Sequence, residues 1–130
     1  MKYFNWLSIV GGAVGGFFSY CLGGWDLLSK CLIAFMILDY ATGIMSAMYT
    51  GKLCSSKGFK GIIKKAAIFL TVCMAAVMQE YLSIPIRDVV VTFFVMNEGL
   101  SIVENLGEIV EMPPAIKNAL HALRGKDDSE

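Results

Sequence analysis

The chain has 130 residues, 56% of them apolar or aromatic and only 17% charged, with a mean hydropathy of +0.62. A soluble domain is nearer half apolar and a quarter charged, so this balance excludes disorder. Eleven basic and eleven acidic residues cancel, which leaves no basic footprint for nucleic acid. Cys21, Cys31, Cys54 and Cys73 stand apart without a C-x-x-C pair, so they indicate small apolar residues rather than a disulfide framework or a zinc site.

Crossing a bilayer takes about 20 apolar residues at about 1.5 Å rise each. Tyr3 to Trp25 carry no charge and Cys31 to Gly51 carry only Asp39, which predicts spans at about 4–24 and 31–50. Lys2 ahead of the first could mark a secretory signal. The run is longer than a signal's apolar region, no A-x-A-like site follows, and Tyr20 before Cys21 is a poor lipoprotein cleavage position. An uncleaved helix is expected.

Ala66 to Gln79 is uncharged and extends to a third span, about 62–82, if Lys64 and Lys65 snorkel to the headgroups. Val89 to Asn97 alone would suit a buried strand, but a fourth span of about 87–111 has the required length if it admits Glu98, Glu104 and Glu108. Some thirteen apolar residues at about 0.5 kcal/mol each favour its insertion by roughly 6 to 7 kcal/mol, and the embedded acids cost roughly 5 to 10 kcal/mol. Such a helix needs partner helices or water on its acidic face.

Orientation follows from the basic residues, which stay cytoplasmic in short loops. Lys52, Lys57, Lys60, Lys64 and Lys65 fall in a loop between spans two and three, whereas Lys30 and Arg87 lie near the other two turns. With Lys2, Lys117, Arg124 and Lys126 this places nine basic residues inside and two outside, so both termini are expected in the cytoplasm. Pro113 and Pro114 end the fourth helix. Ile116, Ala119, Leu120 and Leu123 then share a face of a short interfacial helix, before a charged tail, Arg124 to Glu130. The predicted fold is an all-α integral membrane protein, a four-span helical bundle over residues 1–112 with a cytoplasmic segment at 113–130.

Three sets of residues are candidates for function. Gly11, Gly12, Gly15, Gly16, Ser19 and Gly23 recur four apart in span one and make a close-packing face for another copy or another span. In span two, Asp39, Thr42, Gly43, Ser46 and Thr50 share a small, polar face; an acid there must be protonated, paired or hydrated. In span four, Asn97, Glu98, Ser101, Glu104, Asn105, Glu108 and Glu111 share another, suited to lining a lesion in an assembly. The face on span two could instead anchor helices to one another, and the fourth segment could instead be an amphipathic helix on the membrane surface. The basic loop could also bind anionic lipid, although its topological role accounts for it. His121 is the only histidine, and no catalytic set, phosphate loop or metal-spaced cluster is present, so no cofactor, no metal and no enzymatic activity is expected.

The segments LDYATG (Leu38 to Gly43), GKLCSSKGFKGIIKK (Gly51 to Lys65) and NEGLSIVEN (Asn97 to Asn105), in this order and spacing, resemble those of the phage-lysis and toxin-secretion holin family. The chain departs from the family's terminal Pro-x-Pro element, having VEMPP. The resemblance implies a small, non-enzymatic protein that oligomerises in the bacterial cytoplasmic membrane and opens timed lesions, through which an endolysin or toxin escapes without specific contact. Its partners would then be further copies of itself and membrane lipid. One route to timing hides the acidic faces of spans two and four against each other until they turn toward a shared lumen. The alternatives are a small-molecule or proton-coupled transporter using an embedded carboxylate, and a membrane anchor for a partner subunit.

Overall fold

The computed structural model describes residues 5–124. The element order is α1 (Trp6–Cys21), α2 (Leu27–Tyr49), α3 (Ser55–Leu82), α4 (Ile86–Gly107) and α5 (Pro114–Arg124), with no strand among the described residues. The Val89 to Asn97 run is therefore helical despite its β-branched content; without a partner strand, only a helix satisfies its backbone internally. Lys2 and the tail beyond Arg124 lie outside the described residues.

Three helices, α2, α3 and α4, are long and apolar enough to cross a membrane. With 23, 28 and 22 residues they extend about 34, 42 and 33 Å, against a hydrocarbon core of about 30 Å. Helix α1 has 16 residues and reaches about 24 Å. It stops at Cys21 because the next residues form a Schellman turn. The Gly23 amide donates to the Tyr20 carbonyl and the Gly24 amide to the Ser19 carbonyl, and Gly23 adopts φ +77°, a left-handed conformation that glycine takes without strain. Gly51, at φ +71°, ends α2 the same way, its amide bonding Met48 and that of Lys52 bonding Ala47.

Two expected boundaries are corrected. Helix α3 begins at Ser55, so Lys57, Lys60, Lys64 and Lys65 are helical and only Lys52 of the basic set lies in the connecting turn. Lysine has good helix propensity, and a charge run is no barrier to extending an apolar helix outward. Helix α4 ends at Gly107, before the prolines; the Ile109 and Val110 amides turn back to the Leu106 carbonyl. Glu108 and Glu111 therefore leave the helical face assigned to them. Pro114 instead opens α5, where its missing amide costs nothing.

Contacts along the helices make α2 and α4 parallel, with α1 and α3 antiparallel to them. Helices α2 and α4 pack most extensively, the Phe35 ring lying over Gly99, where an added Cβ would approach it to 3.2 Å. Tyr40 of α2 packs on Gly58 and Gly61 of α3, 3.3 Å from a Cβ built at the latter. Leu22, Leu32, Ile68, Val72 and Val91 form the core. Helix α1 is peripheral, with no buried residue; it touches α3 through Phe18 and Phe69, whose rings are 5.0 Å apart. Large apolar side chains such as Phe17, Leu70, Val89 and Phe93 remain exposed, as suits a bundle in lipid.

Gly23→Ala is expected to destabilise the chain by about 1 to 3 kcal/mol through its left-handed backbone and because the new Cβ would lie 2.8 Å from Arg87 Cδ. Gly15→Ala, with nothing within 4 Å, should change stability by less than about 1 kcal/mol. Thermal unfolding of the two variants in detergent micelles measures the contrast.

Candidate functional site

The polar faces of α2 and α4 meet inside the bundle. Asp39, Thr42 and Ser46 are buried on α2 and Glu98 on α4, and α3 contributes Lys65. The Lys65 ammonium donates to both Asp39 Oδ2 and Glu98 Oε2. Asn105 Nδ2 donates to Thr42 Oγ1 at 3.0 Å and to Asp39 Oδ1 at 3.2 Å, and the Ser46 hydroxyl donates to the Glu108 carboxylate. Lys65 thus points inward, with a side chain 14% exposed, rather than snorkelling outward. A lysine that can reach two buried carboxylates gains more by pairing than by hydration at the rim, because an unpaired buried charge is the costlier state.

Glu98 is fully buried, and its second oxygen, Oε1, has no hydrogen-bond partner among the described residues. Lys64 Nζ stands 3.9 Å from that oxygen, on a half-exposed side chain. The cluster lies ten residues from the α2 end at Tyr49 and from the α3 start at Ser55, about 15 Å along each helix. A half-open cavity of about 220 Å³ reaches Asp39 and Lys65 from this end, past Lys57, Lys64, Asn105 and Glu108. Gly43 makes room for Asn105, 3.5 Å from a built Cβ. Asn97, Ser101 and Glu104 are partly buried; Ser101 lines this cavity, whereas Glu104 faces a second one of about 210 Å³ beside Lys117, Leu120 and His121 of α5.

The glycine set divides. Gly11, Gly12, Gly15 and Gly16 have nothing within 4 Å of a built Cβ, so no other helix among the described residues covers them. Ser19 accepts the Gly24 amide, and Gly23 lies beyond α1 in the turn, against Arg87, where it cannot extend the stripe.

A second cluster at the opposite end has no counterpart among the sequence-derived candidates. Arg87, 3% exposed, spans the α1–α2 and α3–α4 turns. Its Nε donates to the Leu22 carbonyl at 2.6 Å, and its two terminal nitrogens donate to the Asp26 carboxylate at 2.8 and 2.9 Å. It also reaches Asp88 and the Ser29 hydroxyl. Asp26 meanwhile caps α2 by accepting the Ser29 amide. The bidentate guanidinium holds the Asp26 carboxyl well below the usual carboxylate range. A sequence signal existed: Asp26 and Arg87, of opposite sign, flank apolar runs at turns that an alternating topology brings to one end.

A model of the bacteriophage holin family matches residues 16–125. The chain belongs to that family. An uncharacterised 14.9 kDa protein of Clostridium perfringens is 34% identical over 130 residues, covering 97% of this chain and 96% of its own. An uncharacterised Listeria monocytogenes protein is 37% identical, covering 89% and 87%. A probable holin of Bacillus phage phi105 is 30% identical, covering 76% of each chain. No solved structure matches. In this holin-family chain the matched segment contains both ion clusters and all three long helices, but only the last turns of α1.

Replacing Lys65 with Met removes the cation shared by two buried carboxylates and should destabilise the chain by about 3 to 5 kcal/mol, read from denaturant unfolding in micelles. The Asp26 pair predicts acid sensitivity. Its folded-state pKa lies below the ordinary 3.8, so its contribution is complete above that pH and is lost as pH falls below it. Because the Asp26 side chain is 49% exposed, the contribution is modest, about 1 kcal/mol. Asp26→Asn should flatten the stability profile below about pH 4, measured by micelle unfolding.

Proposed function

We propose that the chain is a holin that accumulates in the bacterial cytoplasmic membrane, oligomerises, and at a set time opens lesions through which an endolysin or toxin leaves, ending in lysis. Cargo passes without specific contact, and no enzymatic step is involved. The observation that carries this, beyond family membership, is the burial of two membrane-level carboxylates between helices. Acidic faces hidden in one arrangement and hydrated in another give a membrane protein two states.

In the proposed topology α1 to α4 all cross the membrane as a domain over residues 1–112, and both termini are cytoplasmic. The lysines near the α2–α3 turn then lie inside, with Lys30 and Arg87 at the outer end. Helix α1 is shorter than the bilayer and is accommodated by local thinning. Helix α5, with Ile116 and Leu120 on one face, lies in the cytoplasmic interface ahead of the tail, completing the segment 113–130. The uncovered face of Gly11, Gly12, Gly15 and Gly16 serves association between copies, where close backbone approach replaces the hydrophobic effect as the attractive force.

Controlled expression beside a cytoplasmic endolysin tests this: abrupt lysis is expected, and steady growth with both proteins present would refute it. Substrate-dependent proton flux without enzyme release would instead favour a transporter whose half-open cavity leads to Asp39. Replacing Glu98 and Glu104 together with Gln should shift the lysis time at matched membrane levels, with culture turbidity as the readout.

A further inference from the structure

We propose that Lys65 sets when the assembly opens: it is the internal counter-ion that keeps Asp39 and Glu98 from needing water, and its withdrawal commits their helices to an aqueous lumen. This rests on the holin function proposed above and assigns the regulation of that same polar site.

Four lysines lie on α3, and Lys65 is the one bonded to two other helices at once, to Asp39 on α2 and Glu98 on α4. The two acids do not depend on it equally. Glu98 has Lys64 in reserve, 3.9 Å from the oxygen that has no hydrogen-bond partner among the described residues. Lys64 and Lys65 are neighbours about 100° apart around the helix. A rotation of α3 about its axis can therefore exchange one lysine for the other at Glu98 without leaving that acid alone.

Asp39 has no second lysine in contact, since Lys65 is the only cationic group within 4.0 Å of its carboxylate among the described residues. Once Lys65 turns away, Asp39 keeps the amide of Asn105 and the cavity it already lines. An ionised group in that position must take up water or a new partner. The barrier to opening thus sits at one ion pair, and the hydrated arrangement is favoured once it breaks.

The experiment uses the full chain, induced beside a cytoplasmic endolysin at matched membrane levels, in three forms: wild type, Lys65→Met, and the neutral triple variant Asp39→Asn, Glu98→Gln, Lys65→Met. The single variant should lyse earlier than wild type. The triple variant, with nothing charged left to hydrate, should accumulate normally and lyse later or never. If Lys65→Met is degraded before it accumulates, the triple variant decides. Wild-type lysis timing in the triple variant overturns the proposal, because a purely structural anchor is replaced by neutral side chains of similar shape. Wild-type timing in Lys65→Met, or failure of the triple variant to accumulate, overturns it as well. A wild-type chain that never releases endolysin refutes the holin function itself, whereas prompt wild-type lysis with unshifted variants refutes only the role of Lys65.

Discussion

A carboxylate inside a bilayer must be discharged, paired or wetted, and the bundle is arranged around that constraint. Lys65 joins Asp39 and Glu98 where α2, α3 and α4 converge, so one tie common to the three long helices is electrostatic. The apolar core beside it is small. Van der Waals packing supplies the rest, through Phe35 on Gly99 and Tyr40 on Gly61. In lipid that division is expected, since apolar surface gains little by leaving one apolar medium for another. Polar groups, which lose most in hydrocarbon, therefore specify which helices meet.

The two ends of the bundle use charge differently. At the α1–α2 and α3–α4 turns, Arg87 makes a bidentate pair with Asp26 and also bonds a backbone carbonyl and a hydroxyl. A planar guanidinium with five donors can satisfy such a set at once, which makes the joint geometrically specific. Lys65, by contrast, is a point charge on a flexible stem, shared by two acids and neighboured by a second lysine. One end has a bidentate partner set, and the other has two lysines beside one buried acid.

Helix α1 stands outside this scheme. It buries no residue and meets the bundle through Phe18 and the turn at Leu22 to Gly24. Its tie to the rest is local to one end, where Gly23 lets Arg87 approach the backbone. The remaining length of the helix carries its glycines on an uncovered surface.

Composition and charge spacing by themselves determined that the protein is helical and made for a membrane, because uncharged runs of spanning length have no other stable form in lipid. The polar faces of α2 and α4 were likewise legible, since helical periodicity places Asp39 with Thr42 and Glu98 with Asn105 without reference to any partner. Helix ends were less so: Gly51 and Gly23 terminate helices through carbonyl bonds that residue type only suggests, and α4 stops at Gly107 before any proline requires it. Only the tertiary structure decided that Lys65 turns inward and that Arg87 closes the opposite end. A lysine next to an apolar run can extend to the surface or into the bundle with equal ease along its own helix. Which it does depends on carboxylates 26 and 33 residues away in sequence, and that proximity exists only once three helices have packed.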